Sequence, residues 1–215
     1  MSRFDAVVLD FDGVIVESVD VKTRAFAELY SPYGSAVVEK VLAHHLVQGG
    51  LSRFEKFRHY HNVFLEQPLT AAEEASLGAR FSALVEDAVV AAAWIPGAIE
   101  YLEQYHRRLP VFVASGTPEV ELQRIVRRRG MGHYFAGVYG SPRTKGAIIT
   151  TSVIGRGFER ERVLMVGDAI NDYEGAQAAG VAFLGITSQA GVFPDGISLL
   201  PDLTDLARFV GLQAS

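Results

Sequence analysis

The apolar residues of this chain are concentrated in short runs that lack strict alternation with polar residues. Runs of this kind are typical of strands that are buried on both faces of a parallel sheet. Each run ends in small, polar or acidic residues. The pattern predicts five such strands, which are AVVLDFD (6–12), LPVFVASGT (109–117), AGVYGS (136–141), RVLMVGDA (162–169) and VAFLGIT (181–187).

Helical patterns lie between several of these runs. The segment TPEVELQRIVRRRG (117–130) is predicted to begin with Thr117 as the N-cap and Pro118 as the first helical residue, and to stop at a glycine. Its arginines at 127–129 are expected at an exposed helix end, where the helix dipole favours cations. The segment NDYEGAQAAG (171–180) also ends on a glycine. Alternating strands and helices predict an α/β fold, a Rossmann-like doubly wound parallel sheet.

The alternation stops between residues 17 and 92, where only helical patterns occur. This stretch is too long for a crossover connection and too helical to add a strand. It predicts an inserted α-helical domain at 17–92, with the α/β core formed by residues 1–16 and 93–215.

Composition narrows the function. The 215 residues carry a net charge of −5 with a pI near 5.7, so no basic surface for nucleic acid or anionic membrane is indicated. There are no cysteines, which excludes disulfides, cysteine-ligated metal centres and a thiol nucleophile. No apolar run approaches the roughly 18 residues of a membrane span, and the N-terminal segment does not resemble a secretory signal. A soluble cytoplasmic protein is expected, and nothing indicates its oligomeric state.

Carboxylates and other polar groups follow the predicted strands. In an open parallel sheet, ligands bind outside the carboxyl ends of the strands. A set of oxygen ligands without histidine or cysteine nearby suits Mg²⁺. The remaining coordination positions of the ion would be taken by water and by a phosphate oxygen of the substrate. The sequence therefore predicts a site for a divalent cation and an anion, built from Asp10, Asp12, Ser115, Thr117, Lys145, Asp168 and Asp172.

Asp10 and Asp12 are two residues apart, so strand alternation would direct both side chains to one side before Gly13 turns the backbone away. Two buried carboxylates are costly unless a cation keeps them ionised. One could then attack as a nucleophile while the other moves protons.

These motifs, DFDGV (10–14), the strand ending in Ser115, Lys145, and GDAIND (167–172), resemble the four motifs of the haloacid dehalogenase-like hydrolase superfamily in order and spacing. The resemblance covers nearly the whole chain. The helical insertion resembles the α-helical cap of the phosphoglycolate phosphatase and β-phosphoglucomutase-like group.

The resemblance implies a role for each motif residue. Asp10 would be the nucleophile that forms an aspartyl-phosphate, and Asp12 would be the general acid and then the general base. Ser115, Gly116 and Lys145 would hold the transferring phosphoryl group. Mg²⁺ would be ligated by Asp10, by the backbone carbonyl of Asp12 and by Asp168, with Asp172 as a further or indirect ligand.

The loop QGGLSRFEKF (48–57) resembles the G-x-S-R cap loop of the β-phosphoglucomutase-like group, in which the arginine faces the substrate. Ser52 and Arg53 are therefore candidate specificity residues, together with Lys22, which replaces the histidine found there in β-phosphoglucomutase. Arg53, Lys56 and Arg58 could equally form a solvated helix face. The histidines at 44, 45, 59 and 61 are expected at the surface or core of the cap rather than as metal ligands.

The leading hypothesis is a Mg²⁺-dependent phosphatase acting on a small phosphorylated metabolite such as a sugar or sugar acid. Two cap cations, Lys22 and Arg53, would favour a substrate with a second anionic group. A phosphomutase and a non-catalytic binding protein on the same fold remain alternatives. Dehalogenation is disfavoured because the dehalogenase branch lacks the second acid, which is present here as Asp12.

Overall fold

A computed structural model describes residues 2–187 and 191–212. Its centre is a six-stranded sheet in the order β3-β2-β1-β4-β5-β6, in which all neighbouring strands are parallel. The α/β fold with a doubly wound parallel sheet is thus confirmed. The strands are β1 (Ala6–Leu9), β2 (Val111–Pro118), β3 (Gly137–Ser141), β4 (Val163–Gly167), β5 (Ala182–Ile186) and β6 (Ser198–Leu200).

Nine α-helices occur in the described part of the chain. The first four follow β1 in the sequence, before the chain returns to the core. These four, which we call the cap, are α1 (Val19–Tyr30), α2 (Ser35–Val47), α3 (Arg53–His59) and α4 (Ala71–Ala91). The others are α5 (Ala98–Tyr105), α6 (Glu119–Arg128), α7 (Lys145–Ile148), α8 (Ile170–Ala179) and α9 (Leu206–Phe209). Within the described ranges, none of these helices has the length and apolar character to cross a membrane.

Side chains of the central strands alternate between two apolar layers. Val7 and Leu9 of β1 pack into the larger cluster, while Ala6 and Val8 pack into the smaller one on the opposite face. All four are fully buried. Burial on both faces explains why the strands appear in the sequence as continuous apolar runs.

The chain leaves and re-enters the core through two adjacent segments. The N–H of Glu17 donates to the carbonyl of Ala93 at 2.9 Å, and the N–H of Ile95 donates to the carbonyl of Ile15 at 3.0 Å. The helices between these segments form the cap. The domain limits of 17 and 92 stay a prediction.

The start of α6 differs from the sequence-based expectation. Thr117 and Pro118 belong to β2, where Pro118 is paired with Ser141, and the helix begins at Glu119. Pro118 has an extended backbone, with φ −53° and ψ 132°. The prediction of a Thr-Pro helix start was wrong because β2 continues past Ala114 with a shift in register.

The arginines that follow α6 also differ in part from expectation. Arg127 and Arg128 are exposed, as predicted, but Arg129 is partly buried. Its guanidinium donates to the carbonyls of Val89, Val90 and Ala92 at 2.7–3.0 Å and lies 4.8 Å from the ring centroid of Trp94. Arg129 therefore satisfies the free carbonyls at the C-terminal end of the cap helix α4.

Candidate active site

The acidic residues meet between β1 and β4, the point in the sheet from which successive strands are added in opposite directions. The chain adds β2 and β3 on one side of β1, and then β4, β5 and β6 on the other. Open α/β sheets bind ligands at the carboxyl ends of the strands beside such a switch point. Asp10 directly follows β1 and Asp168 directly follows β4, so both carboxylates stand at this crevice.

Gly13 allows the two strand ends to come this close. Its φ is +79°, a conformation that strains residues with a side chain. A Cβ at this position would lie 2.1 Å from Oδ2 of Asp168. Gly13 is therefore required for two reasons, the positive φ of the backbone turn and the close approach of Asp168.

Three carboxylates form one compact group. Oxygen atoms of Asp10, Asp168 and Asp172 all lie within 4.8 Å of one another, and Asp10 and Asp172 are buried. Burial raises the pKa of Asp10, and the neighbouring carboxylates add to the rise. Burial likewise raises the pKa of Asp168 well above its usual range, with Asp10 as the next contributor.

Lys145 is the cation closest to this group. It is the first residue of α7, and its buried Nζ lies 2.9 Å from Oδ2 of Asp10 and also contacts Oδ1 of Asp172. Burial alone would lower the pKa of Lys145, but the charges of Asp10 and Asp172 raise it. One lysine therefore offsets only part of the negative charge of three carboxylates.

The acidic group has the chemistry of a magnesium site. All its donors are carboxylate oxygens, which are the ligands that Mg²⁺ prefers, and the uncompensated charge favours a cation. Both oxygens of Asp172 are engaged, because its Oδ2 accepts the N–H of Ala169 at 3.1 Å while Oδ1 contacts Lys145. Asp10 is held in a similar way, because its Oδ1 accepts the N–H of Phe11 at 2.7 Å and its Oδ2 lies 2.9 Å from Lys145.

The side chain of Asp12 is directed into a different set of contacts. Its Oδ1 accepts the hydroxyl of Ser18 at 2.5 Å, and its Oδ2 accepts the hydroxyl of Thr117 at 3.1 Å and an N–H of Lys22. Although burial opposes the effect, Lys22 holds the pKa of Asp12 below its usual value. Its carboxylate lies outside the three-acid group, so any metal contact would come from its backbone carbonyl.

Ser115 and Gly116 lie within β2, just past Ala114 where its register shifts, and Ser115 is beside Asp12. Oγ of Ser115 is 3.5 Å from Oδ2 of Asp12 and accepts the N–H of Thr117 at 3.1 Å. A Cβ on Gly116 would come within 2.6 Å of the carbonyl oxygen of Gly50. Gly116 thus lets the cap loop at 49–51 rest directly on the core.

A small cavity remains between this cap loop and the strand ends. Its volume is about 30 Å³, which is space for one or two water molecules. A second cavity of about 490 Å³ shares four lining residues with it, Asp12, Lys22, His45 and Gly49. The first cavity is lined by Asp10, Asp12, Lys22, Phe26, His45, Gly49, Gly50, Leu51, Arg53, Lys56, Phe81, Ser115, Gly116 and Thr117.

The candidate cap cations line the cavity, but both are already paired. Lys22 contacts Asp12 and donates to Thr117 at 2.8 Å. Arg53 makes a bidentate pair with Glu121 of α6, at 2.5 and 3.0 Å. The solvated-face interpretation is wrong for Arg53, which is buried, and correct for Arg58, which is exposed and pairs with Glu74. Ser52 ends the cap loop immediately before α3.

The Arg53–Glu121 pair joins the cap to the core. Ser82 of α4 contacts both partners, donating to Glu121 and accepting from Arg53 at 2.9 Å. Breaking a buried pair by removing one partner leaves an uncompensated charge, which costs about 3–5 kcal/mol. Replacing both partners removes that charge altogether.

We therefore expect Arg53→Gln and Glu121→Gln each to lower the free energy of unfolding by about 3 kcal/mol. The double variant is expected to recover part of this loss because no buried charge remains unpaired. Urea unfolding of the four proteins measures the cycle, with the exposed pair Arg58 and Glu74 as a matched control. Losses that are additive, or as small as those at the exposed pair, would contradict the assignment.

Lys56 and His45 are two cavity residues whose importance the sequence did not reveal. Nζ of Lys56 is 2.8 Å from Nδ1 of His45, and both side chains are buried. Burial lowers the pKa of Lys56 to about 7, and Lys22 contributes to the fall. Burial and Lys56 lower the pKa of His45 to about 3. Among the described residues, the one group of side chains placed to hold a metal ion consists of Asp10, Asp168 and Asp172, and no histidine of the cap belongs to it.

A family model for haloacid dehalogenase-like hydrolases matches residues 4–180 of the chain. No curated protein matches it significantly in sequence.

Several solved structures share its fold. A β-phosphoglucomutase from Clostridium difficile superposes with a TM-score of 0.78 at 14% identity, covering 94% of this chain and 93% of its own. A predicted phosphoglycolate phosphatase from Haemophilus somnus gives 0.74 at 20% identity, covering 97% and 99%. A haloacid dehalogenase-type hydrolase from Bacillus subtilis, solved with bound magnesium and described as revealing interdomain movement, gives 0.70 at 16% identity, covering 98% and 100%.

Proposed function

Because the chain belongs to the haloacid dehalogenase-like hydrolase family, we propose that it is a Mg²⁺-dependent phosphatase that forms an aspartyl-phosphate at Asp10. The substrate is a small phosphorylated metabolite, such as a sugar phosphate or a phosphorylated sugar acid. The observation that carries the proposal is the position of Asp10. Its buried carboxylate lies at the switch point of the sheet, in contact with Lys145, and lines a cavity covered by the cap.

In the first step, a carboxylate oxygen of Asp10 attacks phosphorus as the bond to the leaving alkoxide breaks. Asp12 donates a proton to that leaving oxygen. The resting pKa of Asp12 is low, but the negative charge of a bound phosphoryl group raises it and favours the protonated form. In the second step, water attacks phosphorus, Asp12 accepts a proton from the water, and the carboxylate of Asp10 is released.

Phosphoryl transfer depends mainly on positioning and charge neutralisation. Lys145 contacts the attacking carboxylate, and Ser115 and Gly116 line the cavity. Asp10, the backbone carbonyl of Asp12 and Asp168 would hold Mg²⁺, which when bound would offset the charge of the phosphoryl oxygens. Asp172 orients Lys145 and anchors the start of α8.

A phosphomutase is the alternative that uses the same first step. It would transfer the phosphoryl group to a second hydroxyl instead of to water. Lys22 supports hydrolysis, because it is bound to Asp12 and Thr117 at the position where β-phosphoglucomutase carries a histidine. A cytoplasmic location stays a prediction.

A screen of phosphorylated metabolites for phosphate release tests the proposal. We expect turnover in Mg²⁺, loss of turnover in excess chelator and recovery when Mg²⁺ is restored. Ca²⁺ is expected to inhibit, because its larger and looser coordination shell disturbs in-line geometry. Isomerised sugar phosphates without phosphate release would favour the mutase, and full activity in chelator would contradict the metal assignment.

A further inference from the structure

The cations that line the cavity differ in how they are neutralised. Lys22 contacts Asp12, Arg53 is paired with Glu121, and both are satisfied by carboxylates of the chain itself. Lys56 lines the same cavity; its Nζ contacts His45 and, at 3.5 Å, the carbonyl of Gly49, and lies 5.6 Å from the ring centroid of Phe26. Among the described lining residues, it is the cation without a carboxylate partner.

A buried, unpaired lysine is costly to maintain, so its environment requires explanation. Lys56 extends from α3 and His45 from α2, and each is at least 95% buried. His45 has one unsatisfied atom, because its Nε2 has no hydrogen-bond partner among the described residues. An amine without a carboxylate partner and an imidazole nitrogen without a hydrogen-bond partner therefore lie side by side in the lining of the cavity.

We propose that Lys56, positioned by His45, binds a second anionic group of the substrate, a carboxylate or a second phosphate that is not transferred. This proposal rests on the proposed phosphatase function and names the substrate class of that same site. It shifts the recognition of a second anion from Lys22 and Arg53, which are occupied, to Lys56. A neutral sugar hydroxyl would leave the Lys56 charge uncompensated, whereas an anion would form a charge-assisted hydrogen bond.

The charges around Lys56 predict how binding responds to pH. The groups that influence it are His45 on α2, Lys22 on α1, Asp12 after β1, Lys145 on α7 and Asp168 after β4. Burial and Lys22 lower the pKa of Lys56 to about 7, so the free amine is increasingly populated above that pH. An anion binds the protonated form, so affinity for a two-anion ligand is expected to fall as the pH rises through about 7.

The test compares phosphate esters that differ only in their second group. Phosphoglycolate and phosphoglycerate carry a carboxylate, the bisphosphates of ethylene glycol and propanediol carry a second phosphate, and the monophosphates of the same diols carry neither. Binding of each is measured by inhibition of aryl phosphate hydrolysis, which also reports directly whether the protein is a phosphatase. The native enzyme is expected to bind one of the two-anion series at least about tenfold more tightly than the monophosphates.

Lys56→Met is expected to abolish this preference, a change of about 10- to 100-fold, while aryl phosphate hydrolysis is retained. Lys56→Arg is expected to retain part of the preference and to lose its decline above pH 7. Arg58→Met, an exposed cation on the same helix, is the matched control and should change nothing. Thermal unfolding of each variant verifies folding, since loss of an unpaired buried charge should not destabilise the protein.

Three results would overturn the proposal. The native enzyme could show no preference for any two-anion probe. Lys56→Met could leave such a preference intact. It could also weaken all esters and the aryl phosphate equally, which would place Lys56 against the transferred phosphoryl group instead. Failure of the native protein to hydrolyse any aryl phosphate would count against the proposed function, separately from Lys56.

Discussion

Asp10→Asn is expected to lower kcat by at least about 10⁴-fold without unfolding the protein, on the scale seen when a hydrolase loses its nucleophile. The substitution removes the attacking oxygen and one candidate metal ligand but keeps the shape of the side chain. Because burial raises the pKa of Asp10, the native carboxylate is held at a cost, and the amide should be tolerated in its place. Phosphate release under saturating Mg²⁺ measures the effect.

The matched control for this variant is Asp5→Asn. Asp5 is a half-exposed carboxylate that pairs with Arg162 away from the cavity, and its loss should leave turnover unchanged. Thermal unfolding of both variants separates a chemical defect from a structural one. Activity of the folded Asp10→Asn variant above about one per cent of native would remove Asp10 from the nucleophile role.

Asp12→Asn should give the second largest loss, and its size should depend on the leaving group. General acid catalysis contributes about 10²–10⁴-fold, so alkyl phosphates should lose about that much. An aryl phosphate has a leaving group that needs little protonation, and we expect a clearly smaller loss on it. Parallel measurements of kcat/KM, which reports the step in which the leaving group departs and not the later hydrolysis of the aspartyl-phosphate, on a sugar phosphate and an aryl phosphate test this difference.

Lys22→Met is the companion to this measurement, because it removes the ion pair but keeps the carboxylate. Lys22 holds the pKa of Asp12 below its usual value, so its loss should raise that pKa. In a plot of kcat against pH, the rise on the acidic side reflects ionisation of Asp12, which is required as a base in the second step. This rise is then expected to move to higher pH. Equal losses of kcat/KM on both substrates for Asp12→Asn would contradict proton donation to the leaving group.

The sequence predicted those parts of the molecule that depend on local pattern. Strands β1, β2 and β4 are almost entirely buried, and the last residues of β3 and β5 are buried, so each appears in the sequence as a short apolar run. Strand β6 was missed because it has only three residues, all of them at least partly exposed, at the edge of the sheet. The position of Asp168 against Gly13 could be anticipated because both follow strands that are neighbours in the sheet.

The sequence could not show which charges are paired across the interface between cap and core. Arg53 and Glu121 are 68 residues apart, and nothing local distinguishes their pairing from solvation. The same holds for Lys56, which carries the pattern of an exposed helix residue but is buried against His45. Such pairings depend on how α2, α3 and α6 pack together, so the identity of the unpaired cation emerges only from the structure.

The stereochemical course at phosphorus tests the aspartyl-phosphate most directly. An aryl phosphorothioate made chiral at phosphorus by two oxygen isotopes would be hydrolysed with Mg²⁺ in water of the third isotope, and the configuration of the released thiophosphate would be determined. Attack by Asp10 followed by attack of water is two in-line displacements, so retention is predicted. Inversion would show a single direct displacement by water and would contradict the covalent role of Asp10.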